Sequence, residues 1–172
     1  GAFAKISRRQ HPDGVAAVIR PPRRTLDDLE LPPAPLLLVA VATEKPGNLG
    51  GLVRSADAAG VDAVLAVGGA GTDPWNPGVI RASMGSVFAL PVVGCDEAEA
   101  RAWLARRGVR LIAATPAAGR DLWEEDLTGP VAIALGPEHE GLSPAWTEAA
   151  GVRVRVPMRG AADSLNVSVT GA

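Results

Sequence analysis

From Leu36 onward, short runs that are apolar throughout alternate with stretches whose apolar residues recur every three or four positions. The apolar runs predict strands over 36–42, 63–67, 88–93, 110–114, 131–135 and 152–156. The periodic stretches predict a helix over 49–59, with Leu52, Val53 and Ala56 on one side, and further helices over 77–84, 97–107 and around 143–150. Strand runs that lack a polar alternation are buried on both faces, as in a mostly parallel sheet covered by helices on each side. The fold class is therefore α/β. The final predicted strand stops at Pro157, which cannot donate to a ladder, and the chain turns at Gly160. A helix then starts near Ser164, with Asp163 or Ser164 placed to cap its first free amides.

Residues 1–35 have a different texture. An extended piece over 15–19 precedes Pro21-Pro22 and Pro32-Pro33-Ala34-Pro35, a spacing expected of a linker or the tail of a preceding domain. The chain opens at Gly1 without methionine and stops at Ala172, about two turns into its last predicted helix. Helices that short are marginal alone, which gives the expectation that sequence is missing at both ends.

A chain of 172 residues can hold one full core and is short for two. Hydrophobic content of 47% against 21% charge excludes a disordered chain. The best apolar run, 36–42, is far short of the ~20 residues a membrane span needs. Lys5, Arg8 and Arg9 are not followed by the apolar stretch of a secretory signal. The single cysteine, Cys95, excludes an internal disulfide and fits a reducing compartment. With only His11 and His139 beside it, no zinc site is expected. The expectation is a cytoplasmic protein with neither metal nor membrane partner.

A net charge of −2 gives no global sign of nucleic-acid binding. Basic residues nevertheless cluster as Lys5-Arg8-Arg9, Arg20-Arg23-Arg24, Arg101-Arg106-Arg107-Arg110 and Arg153-Arg155-Arg159. Clustering on one face matters more than the sum, although most such clusters are simply solvated. With no tyrosine, and Phe3 and Phe88 as the only phenylalanines, a base-stacking platform is disfavoured.

Ligands of open α/β sheets sit beyond the carboxyl ends of the strands, which singles out the loops 43–48, 115–119, 136–141 and 157–166. All four are rich in glycine, proline and small polar residues, as a site lined by backbone would be. Familiar nucleotide signatures are missing. The first strand leads into Thr43-Glu44-Lys45-Pro46-Gly47-Asn48-Leu49-Gly50-Gly51, which lacks Gly-x-Gly-x-x-Gly. Neither a P-loop nor a Gly-x-Ser-x-Gly elbow occurs. Gly68-Gly69-Ala70-Gly71-Thr72 is not followed by a lysine-bearing helix and is expected to be a surface loop. Dehydrogenase, kinase and hydrolase functions all lose ground.

Three segments then line up. The first is Asn48-Leu49-Gly50-Gly51-Leu52-Val53-Arg54-Ser55-Ala56. The second is Leu135-Gly136-Pro137-Glu138-His139-Glu140-Gly141-Leu142-Ser143, after a buried strand. The third runs from Val156-Pro157-Met158-Arg159-Gly160 through Ser164-Leu165-Asn166-Val167-Ser168. In this order and spacing they closely resemble motifs 1, 2 and 3 of the SpoU (TrmH-like) branch of the SPOUT RNA methyltransferases, over roughly 36–172. The resemblance implies a fold that periodicity does not show: a C-terminal segment threaded through a loop as a deep trefoil knot, against the general rule that chains are unknotted. It also implies S-adenosyl-L-methionine bound in the knot, a homodimer, and methyl transfer to a ribose 2′-hydroxyl of structured RNA.

Residue by residue, Gly136, Val156 and Leu165 resemble the family's main-chain cofactor contacts, with Thr115 and Met158 beside them. Arg54, Glu138, Ser164 and Asn166 match its active-site polar residues, and Asn48 its motif-1 asparagine, with Asn48 and Arg54 on the substrate side. Apart from the family, Asn48 serves equally as a helix cap, Glu138 as a helix-start carboxylate, and Arg54 as an ordinary surface residue. His11-Pro12-Asp13-Gly14-Val15-Ala16-Ala17-Val18 looks like the exit of the ribosomal-protein-L30-like (L30e-like) RNA-binding domain often fused upstream. Residues 1–35 would then be a linker and remnant of that domain, which leans the substrate toward ribosomal (23S) over transfer RNA.

Methyl transfer to an alcohol needs the ribose oxygen held in line with the methyl group and its proton removed. Positioning alone can supply ~7 to 11 kcal/mol in favourable cases. A guanidinium, with a pKa above ~12, stays protonated. Arg54 is therefore expected to hold the adjacent phosphate and lower the hydroxyl pKa through it, while a phosphate oxygen or water takes the proton. Ser164 and Asn166 are expected to orient the ribose, and Glu138 to fix the knot loops or Asn166. No metal is required. A non-catalytic RNA-binding or ribosome-assembly module would show degraded motif residues, whereas Arg54, Glu138 and Asn166 are intact. A small-molecule methyltransferase would need an apolar substrate pocket in place of these polar, arginine-rich loops.

Overall fold

The computed structural model describes residues 17–68, 73–160 and 164–172. Six strands form one wholly parallel sheet: β1 (Leu36–Val41), β2 (Ala63–Val67), β3 (Val92–Cys95), β4 (Arg110–Ala114), β5 (Val131–Leu135) and β6 (Val152–Val154), in the order β3-β2-β1-β5-β4-β6. β1 lies in the middle and buries both its faces. Leu37, Val39 and Val41 join one apolar layer, and Leu38 and Ala40 the other. One face is covered by α1 (Pro46–Ala58), α2 (Pro77–Ala82), α3 (Ser86–Ala89) and α6 (Val167–Thr170), through Leu49, Leu52, Val53, Ala56, Val79, Val87 and Val167. The other is covered by α4 (Glu97–Arg106) and α5 (Pro144–Ala149), through Ala100, Trp103, Leu104 and Trp146. Full burial of each such large apolar side chain stabilises by roughly 1.5–3 kcal/mol.

The strand order places the site. From β1 the chain builds outward through β2 and β3 on one side, while β5, β4 and β6 lie on the other. The carboxyl ends of β1 and β5 therefore flank a topological switch point, where such sheets take their ligands. Ala40 pairs with Leu135 there, and Leu135 with Ala114, so the loops after β1, β5 and β4 emerge side by side.

Several expected boundaries shift for local reasons. α1 begins at Pro46, with proline in the first turn, rather than at Leu49. Proline there loses nothing, because its missing N–H would be unsatisfied in any case. Asn48 is consequently inside the first turn, and Lys45, not Asn48, is the cap residue. The strand expected over 88–93 is half wrong. Gly85, at φ +100°, starts a helical turn in which the Leu90 N–H donates to the Ser86 carbonyl (2.8 Å). Val87 is buried there and Phe88 is 55% exposed. The strand forms only beyond Pro91.

β6 ends at Val154 rather than at Val156. The Arg155 N–H donates to the Arg120 carbonyl (2.9 Å) and the Arg155 carbonyl accepts from the Leu122 N–H (2.8 Å), which draws the chain away from β4. α6 is capped by Asn166, whose Oδ1 accepts from the Ser168 N–H (3.0 Å), and not by Ser164. Upstream of the sheet, Leu26–Asp28 form a 3₁₀ turn in which Asp28 accepts from the N–H and the hydroxyl of Thr25 (2.7 Å each). Leu26 and Leu29 are buried in the same layer as α4. Outside the described residues lie Asp163, residues 69–72 of the expected glycine loop, the Lys5-Arg8-Arg9 cluster, and residues 11–16 of the L30-like exit with the start of the extended piece.

Candidate active site

Glycine is obligatory where β5 ends. A Cβ on Gly136 would lie 2.5 Å from the Gly141 carbonyl carbon and 2.6 Å from the Leu142 nitrogen, so the loop can fold back over Gly136 only without a side chain there. Gly141 closes that loop at φ +68°, and its N–H donates to the Pro137 carbonyl (3.1 Å). The folded loop walls a cavity of about 330 Å³, which lies over the ends of β4 and β5 and is completed by the segment after β6 and by α6. Thr115, Gly136, Val156, Met158, Ser164 and Leu165 all line it, and so does Glu138. Met158 and Leu165 are 37% and 39% exposed there, apolar surface that a ligand would cover.

At the edge of the cavity the three motifs are tied together. Asn48 donates through Nδ2 to Glu138 Oε1 (3.1 Å). Asn166 donates through Nδ2 to Asn48 Oδ1 (3.1 Å) and also to Glu138 Oε1. Asn166 Oδ1 in turn accepts from the N–H and the hydroxyl of Ser168 (3.0 and 2.5 Å). Both donors and both lone pairs of the Asn166 amide are thus in use. Burial acts to raise the Glu138 carboxyl pKa. The Val167 amide, the Lys45 charge and the Asn48 amide outweigh it and hold the group below its ordinary value. Glu138 is a fixed anion at neutral pH, suited to clasping and too weak a base to pull a ribose proton.

Arg54 stands apart. It is exposed on α1, outside the cavity lining and the amide–carboxylate cluster, and pairs with no carboxylate among the described residues. It lies about 9 Å along the helix from Asn48. A Cβ on Gly50 would lie 2.6 Å from the Ala82 Cβ, and one on Gly51 would lie 2.8 Å from the Ser168 Cβ. The two glycines thus let α2 and α6 close onto α1 one turn before Arg54. Sequence patterns missed Lys45, whose Nζ is 3.6 Å from Glu138 Oε2, and Ser168. The start signal at Pro46 would have put Lys45 at the helix entrance, facing the switch point. Among the described residues no group of histidine, cysteine, aspartate and glutamate could hold a metal ion, and no helix is long and apolar enough to cross a membrane.

A parallel sheet with a ligand-sized cavity beyond the carboxyl ends of β4 and β5, one strand over from its switch point, has the layout of an α/β ligand-binding domain. A model of the SpoU rRNA Methylase family matches residues 35–172, and the chain belongs to that family. It is 33% identical over 167 residues to the 23S rRNA (uridine(2479)-2′-O)-methyltransferase of Streptomyces viridochromogenes, covering 94% of this chain and 58% of the relative. It is also 33% identical to the 23S rRNA (guanosine(2553)-2′-O)-methyltransferase RlmP of Bacillus subtilis, covering 99% and 66%. The chain thus spans less than two thirds of these relatives. Among solved structures, the SpoU methyltransferase AviRb from Streptomyces viridochromogenes in complex with AdoMet has a TM-score of 0.81 at 32% identity, over 87% of this chain and 61% of that one. An RNA 2′-O ribose methyltransferase has a TM-score of 0.80 at 53% identity, over 87% and 57%.

Proposed function

We propose that residues 36–172 are the catalytic domain of an S-adenosyl-L-methionine-dependent RNA ribose 2′-O-methyltransferase, acting on 23S ribosomal RNA in the cytoplasm. The observation that carries this is that the second and third motifs line one cavity and the first is tied to its edge, where Asn48 donates to Glu138, a residue of the wall, and accepts from Asn166. The cavity, at about 330 Å³, is within the ~300–1,000 Å³ of small-molecule sites. Its glycine-shaped loop and exposed apolar side chains fit a cofactor held mainly by main-chain groups. When bound, that cofactor supplies an electrophilic methyl group on a sulfonium centre.

The chain's own residues do the rest. Glu138 and Asn48 hold Asn166, which fixes the start of α6 and thereby the wall of the cavity. With the Asn166 amide saturated, it is a positioning residue, and Ser164 is left to meet the ribose. Arg54, a permanent cation with a planar fork of donors, holds the adjacent phosphate through two parallel hydrogen bonds. The hydroxyl proton passes to a phosphate oxygen or water. Family membership supports a trefoil-knotted C-terminus and a homodimer, and the exposed Val169, outside the cavity lining, offers apolar surface for the second copy. Residues 1–35 are proposed as the linker from an L30-like RNA-binding domain.

The test is calorimetry with S-adenosylmethionine followed by mapping of 2′-O-methyl marks in total RNA with and without the protein. One saturable site and one new mark in 23S RNA are expected. Absence of binding and of any new mark would overturn the proposal.

A further inference from the structure

A second cationic surface lies away from the three motifs. Residues 20–24 pass along the outer edge of β3 and leave a groove of about 810 Å³, lined by Arg20, Arg23 and Arg24 on the arm and by Trp75, Val92 and Gly94 on the sheet side. Among the described residues β3 pairs only with β2, so the groove follows an edge of the described sheet. All three arginines are exposed and none forms a close ion pair among the described residues, although the Arg24 charge reaches Asp28. Arg101, Arg110, Arg120 and Arg155, in contrast, each form a close ion pair. One carboxylate, Asp73, also lines the groove, its Oδ1 accepting from the Trp75 N–H (2.9 Å), so the lining carries one negative charge against three positive ones.

The position matters as much as the charge. Val92 and Trp75 belong to the apolar layer that α1 covers, so the groove opens on the face of the sheet that carries Arg54. Gly94 leaves the floor of the groove without a side chain, and a Cβ there would come no nearer than 3.8 Å to Pro74. β3 is two strands from β1, about 10 Å at ~4.8 Å per strand.

We propose that this groove is a second RNA subsite, which holds the phosphate backbone of the strand flanking the nucleotide presented to Arg54. The proposal rests on the RNA-methyltransferase function above and adds to it a place where the flanking strand runs. Three arginines lining one groove suit a row of phosphates, because a guanidinium can bind a phosphate in a bidentate manner. A solvated edge that merely keeps β3 from pairing with another chain would also carry charge, and salt dependence separates the two.

The experiment titrates an in vitro 23S RNA transcript into the full chain and into the triple variant Arg20→Gln, Arg23→Gln, Arg24→Gln at several salt concentrations. Each lost phosphate contact removes ~0.7–0.9 from the slope of log affinity against log salt. The variant is expected to flatten the slope by about 2 to 3 and to weaken binding roughly 10- to 100-fold at low salt, with cofactor affinity unchanged. In parallel, Trp75→Phe should remove most of the tryptophan quenching that RNA causes. An unchanged slope in a variant that still binds RNA would overturn the subsite alone and leave the methyltransferase function standing. The same slope with altered sedimentation would assign the arm to a protein contact and also overturn it. Failure of the parent chain to bind the transcript would overturn both together.

Discussion

The cavity over β4 and β5 and the arginine-bearing surface of α1 and the β3 edge are organised in opposite ways. Around the cavity, polar groups are committed to one another. Asn48, Glu138, Asn166 and Ser168 form a closed set of hydrogen bonds, and Gly136 lets backbone press on backbone. On the arginine surface, Arg54, Arg20, Arg23 and Arg24 are exposed and form no close ion pair among the described residues. A pocket for a small ligand gains affinity from being rigid beforehand. A surface for a polyanion gains from cations whose only competitors are counterions, which are released on binding. The two regions should therefore fail separately when mutated.

The largest effect is expected at Gly136. Gly136→Val places atoms inside the Gly141–Leu142 backbone, an overpacking that costs about 1–3 kcal/mol or more. Cofactor binding should be lost while RNA affinity changes little, as measured by calorimetry, thermal melting and filter binding. Normal cofactor affinity in this variant would show that the loop does not shape the site. Glu138→Gln is next. It keeps one acceptor but sets an amide against the donors of Asn48 and Asn166, and a misplacement of this kind can slow transfer by ~10- to 100-fold. Single-turnover methylation should reveal it, with RNA affinity again preserved; a parallel loss of RNA affinity would merge the two regions.

The smallest effect is that of pH. The folded carboxyl of Glu138 lies below its unfolded value, so its contribution is fully present above the unfolded pKa of ~4.3 and is lost as pH falls through the folded one. Cofactor affinity should be flat from about pH 8 to about pH 5 and decline only in stronger acid. Glu138→Gln should remove that acid decline. A decline already near pH 6 in the parent would contradict the clasp as drawn.

What could be read beforehand followed burial. β4 and β5 have the bounds that their apolar runs indicate, because a central parallel strand has no exposed face to disguise it. At 88–93 the same apolar signal misleads. Val87 and Leu90 are buried by a helical turn, Phe88 faces out, and only Gly85 and Pro91 mark the boundaries. The residues of the cavity were legible through their family pattern, but the isolation of Arg54 and the saturation of Asn166 were not. The donors of Asn166 find their acceptors 118 and 28 positions back along the chain, and the isolation of Arg54 depends likewise on which carboxylates the fold brings near α1. Lys45 was overlooked because its partner Glu138 is brought to it only by the pairing of β1 with β5.

The separation of the two regions is tested most directly at Arg54, by single-turnover methylation of a 23S transcript beside calorimetric cofactor binding for Arg54→Ala and Arg54→Lys. The account predicts methyl transfer at background in Arg54→Ala and strong impairment in Arg54→Lys, since a point charge does not reproduce a planar fork. Cofactor affinity should match the parent in both. Weak cofactor binding in Arg54→Ala would place the residue in the cavity and contradict the division. Near-parental turnover in Arg54→Lys would show that charge alone suffices.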